Sequence, residues 1–335
     1  MEELSALDII PLQDILTAKD SAPTEISNTP VIPLHKIVKN KKIYLKLENV
    51  QPVGSFKVRG AYNAISHLRG KRINNTEDKT SSNSGVYTSS AGNFAQGLCW
   101  AANTLSIPVQ VIVPENVARV KLNAIKNFDA DIITLPYNDW WNVMLTGKQE
   151  KTDGMYIHPC CNKTVMAGNG VIGLEILQQV PDVDSIVCAY GGGGHSLGIA
   201  SAVKHVRPDT KVYACEVETA TPLFTSFQNG RPVVLDKYES SFVDGMNGKA
   251  MFPCMWNMAC HLLSGSVVTS LREICDALKT LCIDNHVVSE GAGAATVAAA
   301  MKDEIPGGSI VCVVSGGNID TGKLVTILNG DIPSA

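Results

Sequence analysis

Apolar residues along this chain follow two rhythms. Short runs rich in β-branched residues recur: KIYLKLE (42–48), GVYTSS (85–90), VQVIVP (109–114), ADIITL (130–135), SIVCAY (185–190), KVYACE (211–216) and SIVCVVS (309–315). Most are apolar at both parities, as strands are when helices cover both faces of a parallel sheet. Between them the apolar spacing widens to that of a helix face, as in Val58, Ala61, Ile65 and Leu68, then Leu98, Ala101, Ala102 and Leu105. Further helices are expected over 168–180, 194–206, 271–285 and 291–302, and MFPCMWNMAC (251–260) is expected to be a buried helix. Strict alternation of this kind predicts an α/β fold with parallel, largely doubly wound sheets.

Two stretches lack either rhythm. KRINNTEDKTSSNSG (71–85) is polar throughout, and NGRPVVLDKYES (229–240) mixes turn formers with isolated apolar residues, so both are expected to be loops. The strand and helix run from 85 to 159 is expected to form a smaller domain. Residues 1–70 and 160–335 would form a larger, discontinuous one, with 71–84 as a polar surface loop between them.

Composition narrows the class. At 45% hydrophobic and 18% charged over 335 residues the chain can bury a substantial core. A net charge of −4 gives no basic footprint for nucleic acid or an anionic membrane surface. The start, MEELSALDII, has neither a basic region nor a long apolar run, and the apolar-rich VSEGAGAATVAAAM (288–301) is too short to span a bilayer. A soluble, cytoplasmic protein is expected. The 10 cysteines are scattered with no CxxC pair, and several lie inside strand-like runs, where reduced cysteine packs as a small hydrophobe. The adjacent Cys160 and Cys161 are expected to sit in a plain loop. His195 is open to two readings, a phosphate contact or a surface histidine beside a helix cap.

Candidate chemistry gathers where strands end. YGGGGHSLG (190–198) follows a strand and opens a helix, so consecutive amides can converge on an anion beside a helix N-terminus. Neither the dinucleotide GxGxxG spacing nor the P-loop pattern is present. SSAGNFAQG (89–97) and VSGGN (314–318) also end strands, at the edge where ligands bind in open α/β sheets. In GSFKVRG (54–60), Lys57 opens a helix after a strand and loop. Near a phosphate cup, its amine is suited to imine chemistry with a carbonyl.

Taken in order, GSFKVRGA (54–61), SSAGNFAQG, GNGVIGLE (168–175), GGGG (191–194) and SGGN (315–318) resemble the fold-type II pyridoxal-phosphate enzymes, specifically the threonine/serine dehydratase and serine racemase family. The resemblance runs from about Asn28 to Asp320. It implies a tryptophan synthase β-like fold with the active site between two domains, the smaller closing over the substrate. Lys57 would carry pyridoxal phosphate and later act as the base at the substrate's α carbon, with Phe56 against the cofactor ring. Asn93 would bond the ring hydroxyl, Ser315 would face the pyridine nitrogen, and Gly191, Gly192, Gly193 and Gly194 would cup the phosphate. The turn Ser89, Ser90, Ala91, Gly92 and Asn93 would hold the substrate carboxylate, with Ser90 as a donor. Family members are often homodimers or homotetramers, and their substrates are small amino acids.

Departures from the family pattern refine this. Racemases of the family place a serine where this chain has Ala91, and alanine cannot donate a proton. That favours β-elimination of L-threonine or L-serine to a 2-keto acid and ammonia over racemisation. Phe94 replaces a histidine common after the asparagine, and 3-hydroxyaspartate, phenylserine or other β-hydroxy amino acids stay open as substrates, as does a non-catalytic amino-acid-binding role. A divalent-cation site (Mg or Ca) found in some members would use Glu216 and the Ala220 carbonyl. Its second carboxylate position is Pro222, leaving Glu218 to compensate. The chain ends at Ala335, soon after Asn318, so control by the C-terminal regulatory domain of biosynthetic threonine dehydratases is not expected.

Overall fold

The computed structural model describes residues 8–74, 85–117, 119–152 and 154–335. Helix α1 (Leu12–Asp20) leads into strands β1 (Val31–Pro33) and β2 (Lys41–Leu47), then helix α2 (Lys57–Asn74). Next come β3 (Val86–Ser89), α3 (Asn93–Thr104), β4 (Val109–Pro114), α4 (Arg119–Lys126), β5 (Asp131–Leu135), α5 (Tyr137–Thr146) and β6 (Met155–Tyr156). The chain continues with α6 (Lys163–Gln179), β7 (Ser185–Ala189), α7 (Ser196–Val206), β8 (Lys211–Val217) and α8 (Pro222–Asn229). It ends with α9 (Pro253–Leu262), β9 (Gly265–Thr269), α10 (Leu271–Asp284), α11 (Gly291–Ala300), β10 (Gly308–Val314) and α12 (Thr321–Leu328).

Among the described residues the strands form two sheets. One has the order β1-β2-β10-β7-β8-β9, parallel except for β1, which pairs antiparallel with β2. The other, β5-β4-β3-β6, is parallel throughout. Every residue of β7 is buried, as both-face coverage by helices requires. Helix α11 is buried on all sides, and its sequence GAGAATVAAA supplies only small or apolar side chains to do so. Helix α10 instead shows one apolar face and a capping box at Ser270 and Glu273.

The structure corrects several boundaries. Residues 71–74 continue α2, so the polar stretch begins as a helical turn; residues 75–84 lie outside the described residues. Helix α6 starts at Lys163 rather than 168, because the Asn162 side chain caps the Thr164 and Val165 amides. Strands β1, β6 and β9 have 3, 2 and 5 residues, too short or too glycine-rich to set up a rhythm.

Helices α2 and α6 cross with their backbones in contact. A Cβ at Gly60 would lie 2.6 Å from the Val165 carbonyl, and one at Gly168 would lie 2.6 Å from that of Arg59. The crossing is sealed by a buried charge cluster. Arg59 donates from Nε and Nη2 to Glu48 at 2.7 and 2.8 Å, and from Nη1 and Nη2 to Glu175 at 2.8 Å each. Lys46 Nζ adds bonds to Glu175 and the Thr29 carbonyl at 2.5 and 2.6 Å. Two cations thus balance two carboxylates. Burial alone would raise the Glu48 acid, but Arg59 and Lys46 bring it below the usual range, and the same carboxylates hold Arg59 above its own.

Candidate active site

The loop before α2 is tied to the end of β10. Phe56 N–H donates to the Ser315 carbonyl at 3.0 Å, Gly317 N–H to the Gly54 carbonyl at 2.9 Å, and the Asn318 side chain to the Val53 carbonyl at 2.8 Å. Since β10 lies between β2 and β7, these bonds bring Lys57, Ser315 and the Gly191–Gly194 segment to one C-terminal sheet edge. Lys57 Nζ lies 4.8 Å from the Phe56 ring centroid and 5.9 Å from that of Phe94. Among the described residues it forms no hydrogen bond or ion pair, so the amine is uncommitted.

The tetraglycine segment has no room for side chains. A Cβ at Gly191 would lie 2.6 Å from the Gly245 carbonyl, one at Gly192 2.5 Å from Cys160 Sγ, and one at Gly194 2.7 Å from the Cys160 carbonyl. Gly193 has φ +88°, where L side chains are strained. Cys160 therefore backs this segment directly, and its thiol feels the Lys57 charge. Consecutive amides bare of side chains just before the N-terminus of α7 are suited to an anion nest.

Around it lie buried polar atoms without partners: Ser55 Oγ, both ring nitrogens of His195 and Nε2 of His158. His195 is not the surface residue weighed above. It is buried and stacks on Phe56 with ring centroids 4.0 Å apart. Burial and then the Lys57 charge push it down to about 3, and His158 down to about 4, so both imidazoles are neutral.

Asn93 opens α3 at the opposite wall. Its amide donates to both Glu290 oxygens, and its carbonyl accepts from Asn318 Nδ2 at 2.9 Å. Burial pushes Glu290 up to about 7 against the pull of Asn93 and Lys57. Sequence reasoning did not single out Glu290 as a site residue. The available signal was its place as the one charged residue in VSEGAGAATVAAAM. In the adjoining turn, Ser90, Ala91 and Gly92 are half-buried, and a Cβ on Gly92 would meet nothing within 4 Å, so this turn faces open space. Ser89 is different: it is fully buried and its hydroxyl donates to the Trp140 carbonyl at 3.0 Å.

Glu216 and Ala220 lie apart from this group. The Glu216 carboxylate accepts from Leu223 N–H, Phe224 N–H and Ser266 Oγ at 2.8, 2.7 and 2.7 Å, which occupies both oxygens at the start of α8. Glu218 accepts from Leu271 N–H at 2.8 Å. Among the described residues no group of three or more His, Cys, Asp or Glu is arranged to hold a metal ion, and no helix is long and apolar enough to cross a membrane.

Lys57, the Gly191–Gly194 segment and Ser315 thus share one C-terminal sheet edge, where ligands bind in open α/β sheets. Residues 23–316 match the family described as pyridoxal-phosphate dependent enzyme, and the chain belongs to that family. It is 33% identical over 326 residues to L-threonine ammonia-lyase of Thermotoga maritima, covering 96% of this chain and 79% of the relative. It is 34% identical over 334 residues to the catabolic L-threonine dehydratase of Staphylococcus aureus, covering 97% and 94%. Its structure is similar to serine racemase from Dictyostelium discoideum, with a TM-score of 0.83 at 30% identity, covering 93% and 100%. The residues present fit pyridoxal phosphate. The nest excludes side chains but offers amides, the amine is unpaired, and orphaned buried donors and acceptors surround both.

Proposed function

We propose that the chain is an ammonia-lyase that removes the β-hydroxyl of L-threonine or L-serine and yields a 2-keto acid and ammonia. The observation that carries this reading is identity of 33 to 34% along nearly the whole chain to a threonine ammonia-lyase and a threonine dehydratase. When bound, pyridoxal phosphate supplies the electron sink that lets the α proton leave. The chain's own residues do the rest. Gly191 to Gly194 would hold the phosphate by main-chain amides, Phe56 would pack on the ring, and Ser315 would face its nitrogen. Lys57 would hold the cofactor and would serve as the base that accepts the proton from Cα. The free amides at the start of α3, with Ser90, receive the substrate carboxylate. Asn93 orients the ring hydroxyl and is itself steadied by Glu290.

The unit from 85 to 159 closes on the substrate against the remainder of the chain. Lys121 of α4 meets Asp244 at 2.9 Å, and Lys249 Nζ lies 5.4 Å from the Trp141 ring of α5. Both contacts bridge the two units and support such closure. The test is a panel of β-hydroxy amino acids scored for keto acid and ammonia. Turnover confined to L-threonine and L-serine is expected, and binding without keto acid from any of them would overturn the lyase reading. Racemisation is the second reading, favoured by the similarity to a serine racemase structure. D-Serine formed faster than pyruvate from L-serine would establish it instead.

A further inference from the structure

The chain crosses from the smaller sheet to α6 directly behind the Gly191–Gly194 segment, and His158 stands at the crossing. Just before it, Ile157 is locked to β3: its N–H donates to the Tyr87 carbonyl at 2.8 Å and its carbonyl accepts from Thr88 Oγ1 at 2.9 Å. Just after it, Pro159 has no N–H to offer. The next two amides, those of Cys160 and Cys161, both donate to His158 Nδ1, at 3.0 and 2.9 Å. Among the described residues neither amide donates to a backbone carbonyl. The segment expected to be a plain loop is thus a turn tied to an imidazole. An Nδ1 that accepts is bare, so the ring proton sits on Nε2, which is buried and has no hydrogen-bond partner. The two amides therefore set the tautomer.

We propose that His158 is a positioning residue for phosphate binding, holding through Nδ1 the Cys160–Cys161 turn on which Gly192 and Gly194 are seated. The inference rests on the reading of Gly191 to Gly194 as a phosphate nest. Cys160 touches that segment with both main chain and side chain. A Cβ at Gly194 would lie 2.7 Å from the Cys160 carbonyl oxygen and 2.9 Å from its Cα, and one at Gly192 would lie 2.5 Å from its Sγ. Main chain this close has no slack, so the place of Cys160 decides where the glycine amides sit. The other support comes from α6, where Asn169 Nδ2 donates to the Gly194 carbonyl at 3.0 Å.

His158 also closes a second side of the same glycine. Its ring meets that of Phe252 edge to face with centroids 5.5 Å apart, and the Phe252 ring would lie 3.1 Å from a Cβ at Gly192. The imidazole is buried, and its low pKa keeps Nδ1 bare through neutral pH. Removing the acceptor would leave two amides facing an apolar group. A buried donor without an acceptor is costly, and the turn relieves that cost by moving its amides toward water. Cys160 moves with them and unseats the nest.

The experiment titrates the full chain, freed of cofactor, with pyridoxal phosphate and separately with pyridoxal, which has the ring and aldehyde but no phosphate. The visible band reports binding. The wild type should favour pyridoxal phosphate. His158→Leu should weaken pyridoxal phosphate about tenfold and leave pyridoxal unchanged. His158→Asn, whose Oδ1 can stand near the Nδ1 position, should recover most of the loss. If the leucine variant fails to fold, His158→Gln takes its place, because its amide falls nearer the Nε2 position and should not rescue. Equal weakening of both ligands, or no recovery with asparagine, would overturn the positioning role and leave the nest standing. Equal affinity of the wild type for the two ligands would overturn the nest, and the inference with it.

Discussion

The side-chain nitrogen of Asn93 lies 2.9 and 3.0 Å from the two carboxylate oxygens of Glu290, so a residue opening α3 and the residue preceding α11 share one hydrogen-bonded unit. Glu290 is half-buried and its carboxylate feels the Lys57 charge, so its charge state reaches the centre of the site.

That charge state gives the first prediction. Burial raises Glu290 from an ordinary 4.5 to about 7 in the folded chain. For an acid raised on folding, stability is fully present below the unfolded value and is lost as pH rises through the folded one. Between about pH 4.5 and 7 the loss amounts to roughly 3 kcal/mol at most. Glu290→Gln should flatten the fall in urea midpoint between pH 5 and pH 8. An unchanged slope would mean that Glu290 ionises freely in the fold.

Lys57→Ala removes the amine proposed to carry the cofactor. Keto-acid formation should fall at least about a thousandfold, the scale of a lost positioned base, and the visible band of the holoenzyme should vanish. Far-ultraviolet circular dichroism should be unchanged. Retention of the band after dialysis would place the covalent link elsewhere.

Gly194→Ala puts a Cβ 2.7 Å from the Cys160 carbonyl, a backbone atom that cannot step aside. Overpacking of this kind costs roughly 1–3 kcal/mol, and cofactor affinity should drop at least about fivefold on the corresponding scale. Gly230→Ala is the control. Its φ of +63° makes it strained, but nothing lies within 4 Å, so it should lower Tm slightly and leave cofactor affinity alone. Equal affinity for the two variants would count against the nest.

Lys121 and Asp244 are 37% and 47% exposed in their side chains, so their pairing is worth about 1 kcal/mol or less. Lys121→Ala should raise KM by up to about fivefold with little change in kcat, and added salt should do the same to the wild type. An equal fall in kcat would assign Lys121 to chemistry rather than closure.

Ala91→Ser restores the hydroxyl that racemases of the family carry at this position. D-Serine should then appear from L-serine alongside pyruvate, measured by chiral chromatography. Its absence would show that the second face of the α carbon needs more than a hydroxyl here.

Much of this was legible in the chain, for identifiable reasons. Strands β7 and β10 announce themselves because full burial demands unbroken apolar runs, and Gly191 to Gly194 because such a run has little use except close approach of main chain. The five-motif order placed Lys57 and Ser315 within one family, and the structure brings them to one sheet edge. Partnerships across long separations were not legible. Glu290 is 197 residues from Asn93, and no local pattern joins them. Ser89 reads as one more serine in a turn, yet the pleat of β3 aims it at Trp140. Glu216 reads as a candidate cation ligand, yet the first amides of α8 fold onto its carboxylate.

The two sides of the catalytic cleft are mounted differently. Lys57 sits two positions before Arg59, whose guanidinium is clamped by two carboxylates in the interior, whereas the facing wall leans on exposed charge and ring contacts such as Lys121 with Asp244. Warming weakens the hydration that competes with interior ion pairs, so the lysine's foundation should outlast its counterpart. The enzyme would then stop gripping substrate before it loosens its hold on the cofactor, a loss that cooling can reverse.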